Sequence, residues 1–480
     1  MRHVLVDLQQ RPFLRHLLAF AEQRGVELYM VGGSLRDICL GRPTQDVDLA
    51  MRGDVMGFAL GFANHLGAAY VPMDAERGEA RVVYRRRHVI DFARLQGDTI
   101  IEDLGRRDFT INALGCPLGA LMAHATPELI DPHRGWHDLQ ARVVRMVSGA
   151  TFREDPLRLL RAFRLAATLD FTIAPTTLTA MTPAVSRLVE VAAERVHSEL
   201  LKLFMGPNSA PHVSAMAHLG LLDVLFPELA ATRGIFHQPT DQGDLFEHAI
   251  RTYQQVEALI SAPDLRLPAI AEAVSEYFQA EERRAVVKWT ALLHATGAAT
   301  GVRETPLTPL SDHGSSAQHA RQWEDMGHRL KLSRKQIAYG AALIVHHHRL
   351  SELATLDAQG CLTLRSVHGW CKEVGDSMLG IFVLAIGHAL AAGRENPSGP
   401  DAMALGQLVA RLWDDYQNRI VPVITAPRLV TGHDLQRLFN LTPGPRFKML
   451  LDELEVARVE GRIRTRIEAL RWVEEQLTKA

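Results

Sequence analysis

Two aspartates separated by one residue, Asp46 and Asp48, follow a glycine pair, Gly32-Gly33, within the stretch YMVGGSLRDICLGRPTQDVDLAM. On a strand, alternate side chains share a face, so the two carboxylates would stand roughly 6.5 to 7 Å apart while Val47 points into a core. Paired carboxylates at that separation suit divalent metal ions, which accept one or two carboxylates together with phosphate oxygens and water. The glycines let backbone N–H groups approach an anion, and a helix beginning there turns its positive end to the same place. A nucleoside triphosphate and two metal ions would fit, and the chemistry would be attack of a hydroxyl on a phosphate with pyrophosphate leaving.

Those residues require a strand ending at Val31, a turn at Gly32-Gly33, a short helix through Leu40 stopped by Gly41, and a second strand through Asp46–Asp48. Further strand-like runs at Arg81–Tyr84 and Val89–Phe92 make the first 140 residues an α/β or α+β unit. Apolar residues recur at helical spacing from about Asp155 onward, and no strand-rich block follows residue 175. Breaks are expected near Met205–Pro211, Thr300–Ser316, Arg394–Pro400 and Val421–Pro427.

The 480 residues are 47% hydrophobic and 22% charged, which excludes disordered and fibrous classes and predicts several domains. The 53 Lys+Arg balance 55 Asp+Glu, and residues 1–200 hold 24 arginines, no lysine and 24 acids, so any polyanion site must be a local cluster. Cys39, Cys116, Cys361 and Cys371 have no CxxC spacing and predict a reduced compartment. No leader of signal-peptide type and no membrane span are expected; Gly380–Gly393, the most apolar run, is short and carries His388. The expected location is cytoplasmic.

GGSLRDICLGRPTQDVDL resembles the signature of the class II tRNA nucleotidyltransferase and bacterial poly(A) polymerase family. The resemblance continues in order through RRDFTINAL (Arg106–Leu114), IDPHRGWHDL (Ile130–Leu139, similar to the family's following hairpin), EDPLRLLRAFRLAA (Glu154–Ala167, similar to its base-recognition helix) and ERVHSEL (Glu194–Leu200). It implies an α+β fold: a nucleotidyltransferase head with a mixed sheet over 1–140, then a mostly helical neck (141–205), body (206–425) and C-terminal tail (426–480). By the same resemblance Asp46 and Asp48 bind the metal, expected to be Mg²⁺, and Gly32, Gly33, Arg36 and Asp37 shape the triphosphate site. Arg107, Asp108 and Asn112 stand at positions that contact the incoming nucleotide, chemistry that suits arginine to phosphate and Asp or Asn to ribose. Asp91 stands where many relatives carry a third catalytic carboxylate, as a metal ligand or as a residue orienting the sugar or a mobile loop.

Glu154-Asp155-Pro156 reads as a helix start. Asp155 and Arg158, three apart on one face, would be the amino-acid template that reads the Watson–Crick edge of the base, while Arg161 and Arg164 either face phosphate or lie over a neighbouring helix. Val71–Arg87 reads either as a flexible loop that switches specificity from C to A or as a hairpin with a charged tip. In the second half, FEHAIRTYQQV, ALLHATG and VHHHRLSEL resemble an HD-type phosphohydrolase skeleton whose defining His-Asp pair is His294-Ala295, which removes a hard oxygen ligand. Leu429–Ile463 has a helix-turn-helix look.

The resemblance implies transfer from CTP and ATP to the tRNA 3′ end, with the acceptor arm as partner. Alternatives left open are A-only or CC-only addition, a poly(A) polymerase, and, against Ala295, an HD-type hydrolase.

Overall fold

A computed structural model describes residues 2–124, 127–236, 243–299, 312–393 and 402–478. The chain forms two compact units, one of Met1–Leu203 with His218–Val224 and one of Phe204–Ala217 with Leu225–Ala480.

The first unit is built on a six-stranded mixed sheet of β1 (Leu28–Val31), β2 (Asp46–Met51), β3 (Ala69–Asp74), β4 (Glu79–Tyr84), β5 (His88–Arg94) and β6 (Gly115–Pro117), in the order β3-β4-β5-β2-β1-β6. β2 and β5 run parallel and the other pairs antiparallel, so Asp48 lies directly beside Asp91. Val47, Leu49 and Ala50 are buried while Asp46 is exposed, so the first half of β2 alternates as the sequence predicts.

The Gly32–Cys39 helix links β1 to β2 and ends at Leu40, with Gly41 at φ +71° as the stop. The Val55–Leu66 helix, capped by the Asp54 carboxylate accepting from the Gly57 amide, presses Phe58 and Phe62 on Phe92 of β5. That apolar layer fixes β5 and, through it, the position of Asp91.

One alternative is decided here, in favour of the hairpin, and two local differences from the sequence expectations arise. Val71–Arg87 is mostly paired: β3 and β4 form an antiparallel hairpin with Gly78 at its tip. Ile130–Leu139 is not a hairpin, since Ile130 only bridges Gly115 and a helix occupies Gly135–Ala141. The helix expected to begin at Glu154 starts at Arg158; Asp155 is extended at φ −145°, because a short helix (Thr151–Glu154) ends there and Pro156 disfavours helical geometry in the residue before it.

The second unit is helical throughout its described residues. The Leu245–Ser261, Glu281–Leu293, Arg334–Ala358 and Met378–Ala392 helices share a core that includes Val256, Val287, Leu343 and Phe382. A buried ion pair, Lys288 with Glu257 at 2.5 Å, is completed by Ser209 and the Gly206 carbonyl. Among the described residues one helical run, Leu364–Ala392, is long and apolar enough to cross a membrane, yet 67% of its most apolar window is buried, as in a core helix.

A smaller core of Val430, Leu435, Leu450, Leu454 and Ala469 unites the last three helices, Gly432–Phe439, Pro445–Val459 and Arg466–Thr478. The break expected at Val421–Pro427 is helical through Thr425. The break expected at Arg394–Pro400 and most of that at Thr300–Ser316 lie outside the described residues.

Candidate active site

The first unit opens a cleft of about 700 Å³ beside the Gly32-Gly33 turn. Gly32, Gly33, Asp48, Asp91, Arg107, Asp108, Asn112, Asp155, Arg158 and Arg161 all line it; Arg36, Asp37, Asp46 and Arg164 do not.

Gly32 has φ +66°, and a Cβ there would lie 3.1 Å from Arg107 Nη1 and 3.6 Å from Asp48 Oδ2. Glycine is thus needed both for the backbone turn and for the approach of an arginine and a carboxylate to it. Asp48 Oδ2 accepts the Ser34 amide at 3.0 Å, and the Asp48 amide donates to Ser34 Oγ at 3.0 Å. Burial raises the Asp48 pKa, an effect that Ser34 hydrogen bonding and Arg107 oppose and the Asp91 charge reinforces. Asp46 is exposed and takes part in no ion pair among the described residues.

Asp91 is held on both oxygens by Arg81 of β4, at 2.7 and 2.9 Å. The hydrogen bond to Asp91 is the largest cause of a raised Arg81 pKa, and the charges of Asp46 and Asp48 add to it. The three aspartates therefore share one electrostatic neighbourhood. Asp46 and Asp48 offer hard oxygen donors, one carboxylate exposed and the other anchored on a single oxygen, a donor set that fits divalent metal ions.

The remaining predicted residues form one continuous polar chain. Arg36 Nε donates to Asp37 Oδ1 at 2.9 Å and its Nη1 to Asn112 Oδ1 at 2.7 Å; Asn112 Nδ2 donates to Asp108 Oδ1 at 3.0 Å. Arg161 Nε donates to Asp108 Oδ2 at 2.9 Å, and Glu199 then accepts from Arg161 at 3.2 Å and from Arg164 at 2.5 Å. Three arginines meet three carboxylates, so the network is neutral. Burial would raise the Asp108 pKa, but Arg161, Asn112 and the Phe109 amide outweigh it and leave the carboxyl below the usual range. Both Asp108 oxygens are thereby committed within the protein. For Arg164, burial outweighs Glu199 and lowers the pKa.

Asp155 Oδ2 pairs with Arg195 at 2.7 Å and its Oδ1 accepts the Leu157 amide at 3.1 Å. Arg158 donates to the Arg106 carbonyl at 2.9 Å and to Glu154 at 3.1 Å. Arg107 is braced by Asp103, at 3.0 and 2.9 Å.

Sequence reasoning had not singled out Glu199, Arg195, Asp103 or Arg81. Glu199 carried a readable signal: it falls on the apolar face of its helix with Val196, Leu200 and Leu203, where an acid must find a cation.

A family model described as "Poly A polymerase head domain" matches residues 28–99 and 85–145, and one described as "Probable RNA and SrmB- binding site of polymerase A" matches 170–232. The A-adding tRNA nucleotidyltransferase of Deinococcus radiodurans is 32% identical, over 93% of this chain and 95% of the relative. The chain belongs to the tRNA nucleotidyltransferase and poly(A) polymerase family. The CC-adding tRNA nucleotidyltransferase of Geobacter sulfurreducens is 29% identical over 100% of this chain and 99% of its own length. The Thermotoga maritima CCA-adding enzyme, solved in complex with tRNA, shares the fold with a TM-score of 0.67 at 21% identity, over 99% of this chain and 98% of that one. The chain is therefore a metal-dependent nucleotidyltransferase of the α+β type expected from its head motifs.

Proposed function

We propose that this nucleotidyltransferase adds C and A residues to the 3′ end of tRNA, taking CTP and ATP and working with Mg²⁺ in the cytoplasm. The observation that supports the proposal is the meeting, in one cleft, of the Asp48–Asp91 pair, the Gly32 turn with Arg107, and Asp108, Asn112, Arg161 and Glu199 from the middle of the neutral Arg36-to-Arg164 network.

Asp46 and Asp48 would hold the metal, which when bound supplies activation of the tRNA 3′-hydroxyl and neutralisation of the leaving pyrophosphate. Arg107, braced by Asp103 and lying at the Gly32 turn, serves the triphosphate, and the turn leaves room for it. Arg36, Asp37, Asn112 and Asp108 set the shape of the nucleotide site through the bonds they make to one another, and Arg161 and Arg164 hold the template wall on Glu199. Asp155 and Arg158 line that wall and would read the base edge, excluding G and U by donor and acceptor placement. Asp91, fixed by Arg81, tunes the charge around Asp48.

On this reading 1–140 is the head, 141–205 the neck, and the helices of 206–425 and 426–480 receive the acceptor arm by shape and phosphate contacts.

A second reading has its own support: the two relatives quoted by sequence identity, matching 93% and 100% of this chain, are an A-adding and a CC-adding tRNA nucleotidyltransferase. Purified protein given Mg²⁺, CTP and ATP with tRNA transcripts that lack CCA, or end in CC, separates the two. Extension of the shorter transcript by C, C and A establishes the full activity. Extension of it by CC alone, or A added only to the CC-ended transcript, selects the partial one, and no incorporation overturns both.

A further inference from the structure

The hairpin of β4 and β5 turns on three consecutive arginines, Arg85, Arg86 and Arg87, which none of the roles above uses. All three are exposed, and among the described residues none of them pairs with an acid. Arg81, four residues earlier on β4, is by contrast held by both oxygens of Asp91. The one printed contact of the three is Arg85 over the Tyr84 ring, 5.1 Å from its centroid.

The turn runs against its own residue types. The Arg87 amide donates to the Tyr84 carbonyl at 3.2 Å, and the two residues between them, Arg85 and Arg86, have φ +52° and +55°. A turn with both central residues in the left-handed region favours Asn and Gly, and arginine in either place is strained. Exposed strain of this kind serves no core, so its use must lie in the side chains. The charge around them is one-sided, because the nearby Asp7 is taken by Arg11 at 2.8 Å. His88 registers the excess: burial lowers its pKa most, and Arg11, Arg87 and Arg85 lower it further against Asp7.

Strand register fixes where this tip lies. β2 and β5 are parallel, with Asp46 beside Val89 and Asp48 beside Asp91, so Arg87 stands two residues, roughly 6.5 to 7 Å, beyond the partner of Asp46. Asp48 lines the nucleotide cleft, whereas Asp46 and the three arginines do not. The tip thus extends the Asp46 end of the site. With a nucleotide in the cleft and a metal at Asp46 and Asp48, an RNA strand bringing its 3′-hydroxyl to that metal has the Asp46 end left to enter by.

We propose that Arg85, Arg86 and Arg87 grip the phosphate backbone of the RNA immediately 5′ of its terminal 3′-hydroxyl. The inference rests on the proposed reaction and adds to it a place where the primer strand is held. Guanidinium groups suit phosphate oxygens, and three without acid partners bind by releasing counterions, whatever the base sequence.

Affinity for a tRNA transcript ending in CC, read by fluorescence anisotropy without nucleotide over a range of salt concentrations, tests this in the full chain. Arg85→Gln/Arg86→Gln/Arg87→Gln should flatten the slope of log Kd against log salt by roughly 2–3 and weaken binding at low salt by about 10- to 100-fold. KM for tRNA should rise accordingly, with kcat and KM for CTP and ATP little changed, and an acceptor-stem minihelix should show the same loss. The corresponding triple lysine variant should recover most of the slope. Arg85→Asn/Arg86→Gly, which suits the turn, should raise Tm by roughly 2–6 °C while still weakening RNA binding, so lost affinity is not lost folding. An unchanged slope in the glutamine variant, a raised KM for CTP in place of tRNA, a loss that vanishes on the minihelix, or a lowered Tm in the Asn-Gly variant each overturns the inference. Wild-type protein that incorporates nothing sinks the proposed reaction instead, and the anisotropy scores the tip separately.

Discussion

The cleft of the first unit and the cluster that the rings of His248, His294, His347 and His388 form in the second solve opposite electrostatic problems. In the first unit every arginine of the Arg36-to-Arg164 chain has an acid against it, and the charges of the chain sum to zero. In the cluster the rings have no acid among them, and burial drives His294, His347 and His388 well below the ordinary imidazole pKa. A preassembled ionic lattice can grip a charged substrate without rearranging. The buried histidine cluster instead carries little charge of its own, because burial disfavours the imidazolium form of His294, His347 and His388.

The largest effect expected from breaking this contrast is on the carboxylates beside the Gly32 turn. Asp46→Asn or Asp48→Asn should lower nucleotide incorporation by roughly 10³-fold or more, because the groups that would hold the metal lose their charge. Thermal stability should not fall with it. Burial already disfavours the ionised form of Asp48, so asparagine there holds or raises Tm in a melting experiment. Incorporation that survives both substitutions, measured with labelled CTP and ATP, would remove the metal role from these residues.

Glu199→Gln strikes the lattice at the residue that carries two arginines. With the acid gone, Arg164 loses its ion-pair partner and Arg161 keeps only Asp108, and the loss should be about 2–4 kcal/mol, discounted for the partial exposure of Arg161. A Tm lower by roughly 5–15 °C, together with a higher KM for nucleotide, would be seen by calorimetry and steady-state kinetics. An unchanged Tm would show that the lattice carries no stability and that its neutrality is incidental.

A third effect is on acid stability. Asp108 has a depressed pKa in the fold, so it contributes stability above the unfolded value near about 3.9, and this is lost as pH falls through the lower folded value. Urea unfolding of the first unit, followed by hydrogen exchange at pH 5, 4 and 3, should show wild-type stability falling over that window and a shallower fall in Asp108→Asn. The same slope in both proteins would mean that Arg161 does not hold the charge.

What could be read from the chain beforehand follows the same division. The cleft was largely legible because its chemistry sits in short runs: the glycine pair, the DxD strand, Arg107-Asp108 and Asp155–Arg158 each announce themselves locally. Less legible was how those runs join. Glu199, an acid on the apolar face of its helix, signals a need for a cation but not that Arg161 and Arg164 supply it, and Asp155 looked like a helix cap although Pro156 delays the helix to Arg158. β3 was hidden because, as an edge strand exposed along most of its length, it shows no buried-exposed alternation and tolerates Pro72 in its middle. The histidine cluster was legible only as separate segments, FEHAIRTYQQV, ALLHATG and VHHHRLSEL, that resemble an HD-type skeleton. His248, His294, His347 and His388 come from four separate helical segments, His347 within the His346–His348 triplet, and only the packing of those helices brings them together.

The smallest expected effect tests whether the template wall is as preassembled as the lattice behind it. Arg195 holds Asp155 Oδ2, but its side chain is half exposed, so the pair contributes at most about 1 kcal/mol and Arg195→Ala should fold normally. If Asp155 reads the base, Arg195 competes with the nucleotide for that oxygen. Removing it should then lower KM for nucleotide by roughly two- to fivefold, with kcat little changed, since the interaction lost belongs to the free enzyme. A KM that rises instead would assign Arg195 to the incoming phosphate or RNA and make the observed pair a resting contact between two ligands of different substrates. Either direction separates a wall that waits open from one that the substrate must first unlatch.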